Sequence, residues 1–462
     1  MAERSAVPLE LGTEKIGRLL KQYALPAIIA QTASSLYNMV DSIFIGQGVG
    51  PLAISGLAVT FPLMNLSVAF GTLVGAGAAT MLSVLLGQKN YKAANKVLGN
   101  VVSLNIIIGL IFMAVALLFI DPILYFFGAS ENTLPYAKEY ISIILIGNVI
   151  THLYFGLNAA MRSSGNPKKA MALTIFTVIF NTILDPIFIF VLDMGIAGAA
   201  WATVIAQTVA MILVMKHFSD KSRAFHFEKG IFKLDMRVAK DSLVIGMGPF
   251  LMNAAACLVT LFINQQLRDY SGDLGIGAYG ICNRFIFMFI MICMGLNQGM
   301  QPIAGYNYGA KQYSRVKEVF WMTAKFATVV TTICFAIGMF IPRLAAGIFT
   351  HDEALLGMSA EGMRILTIGF PIVGFQMIGT NFFQSLGMVK KSVILSLSRQ
   401  ILFLIPLIYA LPLWHGSNGV WLSFPISDIL SATLTAILLR RLFKKFNQLK
   451  DGEESSILGS QL

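Results

Sequence analysis

Twelve apolar runs, each long enough to cross the hydrocarbon core of a bilayer, follow one another between residues 23 and 439. A spanning helix needs about 20 predominantly apolar residues, and in hydrocarbon every backbone N–H and C=O has to be paired inside the segment. The runs lie at about 23–46, 53–86, 98–127, 139–161, 170–192 and 197–216, then 242–267, 276–308, 318–341, 361–386, 392–413 and 419–439. The second and eighth exceed a straight crossing and should tilt or protrude. Only 12% of residues are charged, about half of what a water-facing domain carries. The expected class is an all-α polytopic membrane protein.

The formal net charge of +11 does not point to nucleic acid, because the basic residues sit in short loops between the runs. Arg4, Lys15, Arg18 and Lys21 precede the first run. Alternate loops then carry Lys89, Lys92 and Lys96; Arg162, Lys168 and Lys169; a basic stretch from Lys216 to Lys240; Lys311, Arg315 and Lys317; Lys390 and Lys391; and the tail from Arg440 to Lys450. The remaining loops hold almost nothing basic beyond Lys138, Arg268 and Arg343. By the positive-inside rule both termini are cytoplasmic and the chain is multi-pass, with the cell (inner) membrane as its expected place. No short apolar region with a small-residue cleavage site opens the chain, so no cleaved signal peptide is expected. The four cysteines fall in apolar segments without metal-ligand spacing, and no disulfide framework is implied.

The chain repeats itself. Pro26 precedes Asp41 by 15 residues, and Pro249 precedes Asn264 by 15. Gly87-Gln88-Lys89-Asn90-Tyr91 matches Gly309-Ala310-Lys311-Gln312-Tyr313 at an offset of 222, and Gly165, Lys168 and Lys169 fall on Gly387, Lys390 and Lys391 at the same offset. The expected organisation is an N-terminal six-helix lobe over 1–220, a cytoplasmic linker at 221–241, a C-terminal six-helix lobe over 242–450 and a tail at 451–462. Each half crosses an even number of times, so the halves insert the same way round, as parallel repeats about an axis along the membrane normal. That is an architecture of alternating-access transporters.

Catalysis finds no inventory here. The five histidines, His152, His217, His226, His351 and His415, form no pair at ligand spacing. No phosphate-binding Gly-x-x-x-x-Gly-Lys run exists. Energy for transport would have to come from an ion gradient.

Attention therefore falls on acids inside the runs. An intramembrane carboxylate costs a few kcal/mol or more, so it marks a functional site by default. Asp185 lies about 15 residues into its run, too deep for a two-atom stem to reach water. Asn181 is four residues earlier and shares its helix face. Asp41 lies about five residues from the outer end of its run, where it either snorkels to the interface or joins a site. Asp428 has only Ser427 and Ser431 as polar neighbours in sequence. Two carboxylates, an amide and a hydroxyl are hard oxygen donors that suit a small cation or a shared proton. Pro26 either kinks the helix that carries Asp41 or sits harmlessly in its first turn.

These residues bring a family into view. The chain resembles the multidrug and toxic compound extrusion (MATE) transporters across essentially all twelve runs, and its segment Gln298 to Ala310 is similar to the MepA-like, DinF-related branch. The resemblance is carried by Leu25-Pro26 with Tyr37-Asn38-Met39-Val40-Asp41, by Asn158-Ala159-Ala160-Met161-Arg162-Ser163-Ser164-Gly165-Asn166-Pro167, by Asn181 to Ile189, and by Gln298 to Ala310. It implies a V-shaped pair of six-helix bundles that exports amphipathic, often cationic, compounds in exchange for H+ or Na+. It also implies a cation site at Asp41, Asn181, Asp185 and Thr203, bending of the first helix near Pro26, and an N-lobe cavity lined by Tyr37 and Asn158. No cofactor is implied beyond the coupling ion. The expected partners are small drug-like molecules and the lipid bilayer, with the chain working as a monomer.

The second half departs from branches that carry an acid on the seventh or tenth helix. Asn264 stands opposite Asp41 in the repeat, and Leu404-Ile405-Pro406 stands opposite Asp185, so a single coupling site is expected. A rival reading is a flippase for a lipid-linked saccharide, which would line its cavity with Arg and Lys. Arg284 stands as the one basic residue well inside a run. A membrane receptor or channel is a further rival, and it leaves the repeat without a purpose.

Overall fold

A computed structural model of the chain describes residues 10–223, 225–228, 230 and 233–453, with the side chains of Asn38, Met39, Pro51 and Asp273 excepted. Arg4, most of the tail at 451–462 and part of the linker at 221–241 lie outside the described residues. Helix α1 is Ile16–Gly48, α2 is Pro51–Gly87 and α3 is Tyr91–Leu118. Helix α4 is a bent pair, Leu134–Ile146 with Asn148–Ser163, at 53°. Helix α5 is Pro167–Val191 and α6 is Gly195–Ser219. In the second half, α7 is Met236–Gly272, α8 is Leu274–Gly309 and α9 is Tyr313–Phe340. Helix α10 is again a bent pair, Glu353–Thr367 with Phe370–Ser385, at 55°. Helix α11 is Val389–His415 and α12 is Ser417–Phe446. Each helix falls on one of the twelve apolar runs, although α3 stops at Leu118 and a separate short helix, Ile120–Phe126, takes the end of the third run.

Nine of these helices are long and apolar enough on their own to cross a membrane, and the two bent pairs bring the number to eleven. The remaining one, α1, is 33 residues long. It is ample in length and fails only on hydropathy, because Gln31, Thr32, Ser34, Ser35, Tyr37 and Asp41 crowd its second half. A helix that gives up apolar residues inside a bilayer does so to present polar ones to a protein interior.

The repeat extends to backbone conformation. Lys89 and Lys311 both adopt the left-handed region, at φ 59° and φ 58°. Each sits in the same end motif: the Lys89 N–H donates to Leu86 O at 3.1 Å, as the Lys311 N–H does to Tyr308 O at 3.1 Å. One residue on, the Asn90 N–H donates to Leu85 O at 2.9 Å and the Gln312 N–H to Asn307 O at 2.8 Å. These bonds satisfy the last carbonyls of α2 and α8, as a Schellman-type ending does. The bends of α4 and α10 are partners too, since each opens next to a glycine, Gly147 and Gly369, at the 222-residue offset.

By packing the chain divides into two units. One is Met1–Thr13 with Ile29–Phe250, and the other is Glu14–Ile28 with Leu251–Leu462. This division does not coincide with the lobes drawn from the loops, because each unit takes the first part of the other half's leading helix. The switch falls just after Pro26 in α1 and just after Pro249 in α7. Small residues explain the grip. In the first unit a Cβ on Gly77 of α2 would run into the backbone of Ser242, and one on Gly246 of α7 into the backbone of Leu73. In the second unit, Cβ atoms on Gly295 and Gly299 of α8 would meet the backbone of Ile28 and Ala24 of α1. Helix association in lipid depends on such close backbone approach, since burial from lipid supplies no hydrophobic drive.

Candidate functional site

The first unit gathers a polar cluster within an apolar shell. Helix α5 brings Asn181 and Asp185, one helical turn apart, and the Asn181 amide donates to Asp185 Oδ1 at 2.9 Å. Helix α6 brings Thr203, whose hydroxyl donates to Ala199 O at 3.1 Å and stands 2.9 Å from the Tyr37 hydroxyl of α1. Asp41, one turn beyond Tyr37 on α1, lies close enough to Asp185 for their charges to interact. Asp185 is 0% exposed, Asn181 2% and Asp41 5%. Among the described residues Asp41 Oδ1 and Asp185 Oδ2 are buried without a hydrogen-bond partner.

The shell comes from these helices together with α2 and α4. Ile45, Leu57, Tyr140, Ile189, Ile196 and Ala199 form one buried apolar cluster, and Phe44 meets Phe190 edge to face at 6.4 Å. Behind Pro186 the α5 backbone widens into π turns over Ile187–Val191, with the Leu192 N–H reaching Ile187 O at 2.9 Å. Such segments are frequent at functional sites. Tyr140 of α4 is a member that sequence reasoning missed. It is buried within charge range of both Asp41 and Asp185, and nothing in a helix-by-helix reading singles out a tyrosine among apolar neighbours.

Two residues stand apart from this cluster. The buried Asn158 amide donates to Ala170 O at 3.0 Å, tying α4 to the first turn of α5. Ala170 precedes Asp185 by 15 residues, roughly 22 Å along a helix axis at 1.5 Å per residue. Pro26 is as far from Asp41 along α1. It lies ten residues into that helix, so the first-turn reading of this proline does not hold.

Asp428 is not left with serines alone. Its Oδ1 accepts from Arg399 Nε of α11 at 2.7 Å, and the Ser427 hydroxyl donates to Arg399 O at 2.7 Å. The expectation that Arg284 is the lone basic residue well inside a helix is therefore corrected. Arg399 lies ten residues into α11, in π turns over Ser398–Leu404, and Lys325 lies twelve residues into α9. Arg284 itself is exposed on α8.

A carboxylate buried without a counter-ion costs several kcal/mol. Asp428 meets that cost with a tethered guanidinium. Asp41 and Asp185 have no basic side chain bonded to them among the described residues, so they need a proton or a mobile cation. The donors around them are all oxygen, which fits a small hard cation.

Comparison with known proteins places the chain. Two copies of the MatE family model match it, at residues 26–187 and 249–410. The chain belongs to the MATE family. Both copies begin on a proline, Pro26 and Pro249, and they are offset by 223 residues at each end, so the family unit is the repeat itself. The multidrug export protein MepA of Staphylococcus haemolyticus is 27% identical over 92% of this chain and 93% of that protein. MepA of Staphylococcus aureus strain MRSA252 is 28% identical over 91% and 93%. Among solved structures, the MATE multidrug transporter DinF-BH is 37% identical, with a TM-score of 0.88 over 95% of this chain and 98% of that one. A MATE transporter in its bent conformation reaches a TM-score of 0.90 at 22% identity, over 95% and 98%. The fold of this MATE chain is thus the twelve-helix fold of the family.

Proposed function

We propose that this MATE chain is a secondary active multidrug exporter that exchanges an inward-moving H+ or Na+ for an outward-moving amphipathic or cationic organic compound. The coupling site is Asp41, Asn181, Asp185 and Thr203. The observation that carries the reading is the pair of partnerless buried carboxylate oxygens, on α1 and α5. A proton or cation entering there removes an uncompensated charge, and its departure restores that charge. Occupancy therefore changes the free energy of the bundle by several kcal/mol, enough to shift a two-state equilibrium.

Three features support the rest. The curated relatives are named as multidrug export proteins. Pro26 removes a backbone hydrogen bond within α1, close to where that helix passes from one packing unit to the other, and it serves as the hinge. The alternating basic loops support a cell-membrane protein with both termini in the cytoplasm.

The test is dye efflux from energised vesicles carrying Asp41→Asn or Asp185→Asn, under imposed proton and sodium gradients separately. Each variant should lose gradient-driven efflux under the gradient that drives the wild type. Wild-type rates in both variants would sink the coupling site.

A further inference from the structure

The second unit contains a charged pair whose two ends are unequally buried. The side chain of Asp428 is 4% exposed and that of Arg399 is 26%. The carboxylate is sealed behind the guanidinium and accepts from its Nε. The two terminal nitrogens of Arg399 have no hydrogen-bond partner among the described residues, and neither is sealed from outside. They therefore form a free two-pronged donor edge with its counter-ion behind it.

Ile394, Ile401 and Leu402 are exposed apolar residues of α11, whereas Arg399 is paired with Asp428 of α12 and lies within charge range of Tyr279 of α8. Tyr279 packs its ring on Phe424 at 5.9 Å and 32°, and on Trp421 at 6.2 Å. Its hydroxyl has no partner among the described residues and is not sealed. The backbone holds the pair from below, through Ser427 to Arg399 O and through the α10 bend, where Gly369 leaves room for Asp428.

A guanidinium oriented by a buried carboxylate, with its terminal fork open and an aromatic cluster within range of its charge, is built to take a planar oxyanion in a bidentate contact. We propose that Arg399, with Tyr279 and Phe424, is a subsite of the second unit for the carboxylate of aromatic substrates, held in place by Asp428. The inference rests on the reading of the chain as an exporter of organic compounds, and it names the residues that take a substrate's carboxylate. Asp428 acts here as a positioning residue, and Arg399 is the group that touches substrate.

The test uses two rhodamine dyes that differ at one group, an ethyl ester that is a fixed monocation and its free acid, a zwitterion at neutral pH. Binding to the detergent-solubilised protein is followed by fluorescence polarisation. The wild type should bind the acid about tenfold more tightly than the ester, the scale of a hydrogen bond to a charged group. Arg399→Gln combined with Asp428→Asn, which leaves a neutral hydrogen-bonded pair, should abolish that preference. Arg399→Lys, which keeps the charge and loses the fork, should reduce it severalfold. Equal binding of both dyes by the wild type overturns the subsite, and so does a preference that survives in the double variant. The wild-type comparison needs no variant to fold. No gradient enters these measurements, so a failure of coupling through Asp41 and Asp185 would leave this outcome readable.

Discussion

The hydroxyls of Tyr37 and Thr203 stand 2.9 Å apart, joining α1 to α6 beside the two unpaired carboxylates. The contact links the polar half of α1 to the body of the first unit, so it should matter for transport in proportion to how much α1 moves. Tyr37→Phe and Thr203→Val should each lower gradient-driven efflux severalfold. Because they break one and the same contact, the double variant should be little worse than either single one. Rates from the four proteins in vesicles form the cycle, and additive losses would show that the hydroxyls act separately.

The Arg399–Asp428 pair predicts a different kind of non-additivity. Arg399→Leu leaves a buried carboxylate alone and should cost about 3 kcal/mol, the lower end for breaking such a pair because the guanidinium is partly open. Arg399→Leu with Asp428→Leu should recover most of that loss, since no charge is then left unpaired. Thermal unfolding of the purified proteins in detergent measures both.

Left-handed lysines are strained wherever the bond pattern does not depend on their side chain. Lys89→Gly should stabilise the protein by roughly 0.5–1 kcal/mol, the αL penalty less the extra entropy glycine loses. A fall in melting temperature of the purified variant would contradict that strain.

Glycine crossings should tolerate nothing larger. Gly77→Leu and Gly299→Leu force apart backbones that touch, and each should cost at least about 1–3 kcal/mol as overpacking. Gly347→Ala, with nothing within 4 Å of its new Cβ, serves as the control and should be neutral. Melting curves and the yield of folded protein separate the cases.

Most of the fold could be read directly because hydrocarbon punishes an unpaired backbone, which leaves long apolar runs as unmistakable signals. The same force explains the Asn181–Asp185 bond, set by their four-residue spacing on one helix. What escaped depends on which helix faces which. Tyr140 reaches the carboxylates from α4, and no periodicity within α4 announces that. Arg399 and Asp428 are 29 residues apart on adjacent helices, and the π turns over Ser398–Leu404 that carry Arg399 break the regular helical spacing from which its direction could have been read. Thr203 followed from family likeness, and spacing alone would not have selected it. The packing units escaped for another reason. Basic loops report how the chain inserts, whereas the exchange of leading helix segments is decided by glycines buried at the crossings.

That exchange sets an order on biogenesis. The groove of α2 around Gly77 is filled by Ser242 and Gly246, which are made only after all six helices of the first half. The first unit therefore stays incomplete while its own helices are already in the membrane, and it closes only when residues up to Phe250 have been synthesised. A fragment that ends before Met236 lacks part of its first bundle, and one that starts after Ile28 lacks part of its second. Two half-chains could rebuild the transporter only by trading these segments with each other.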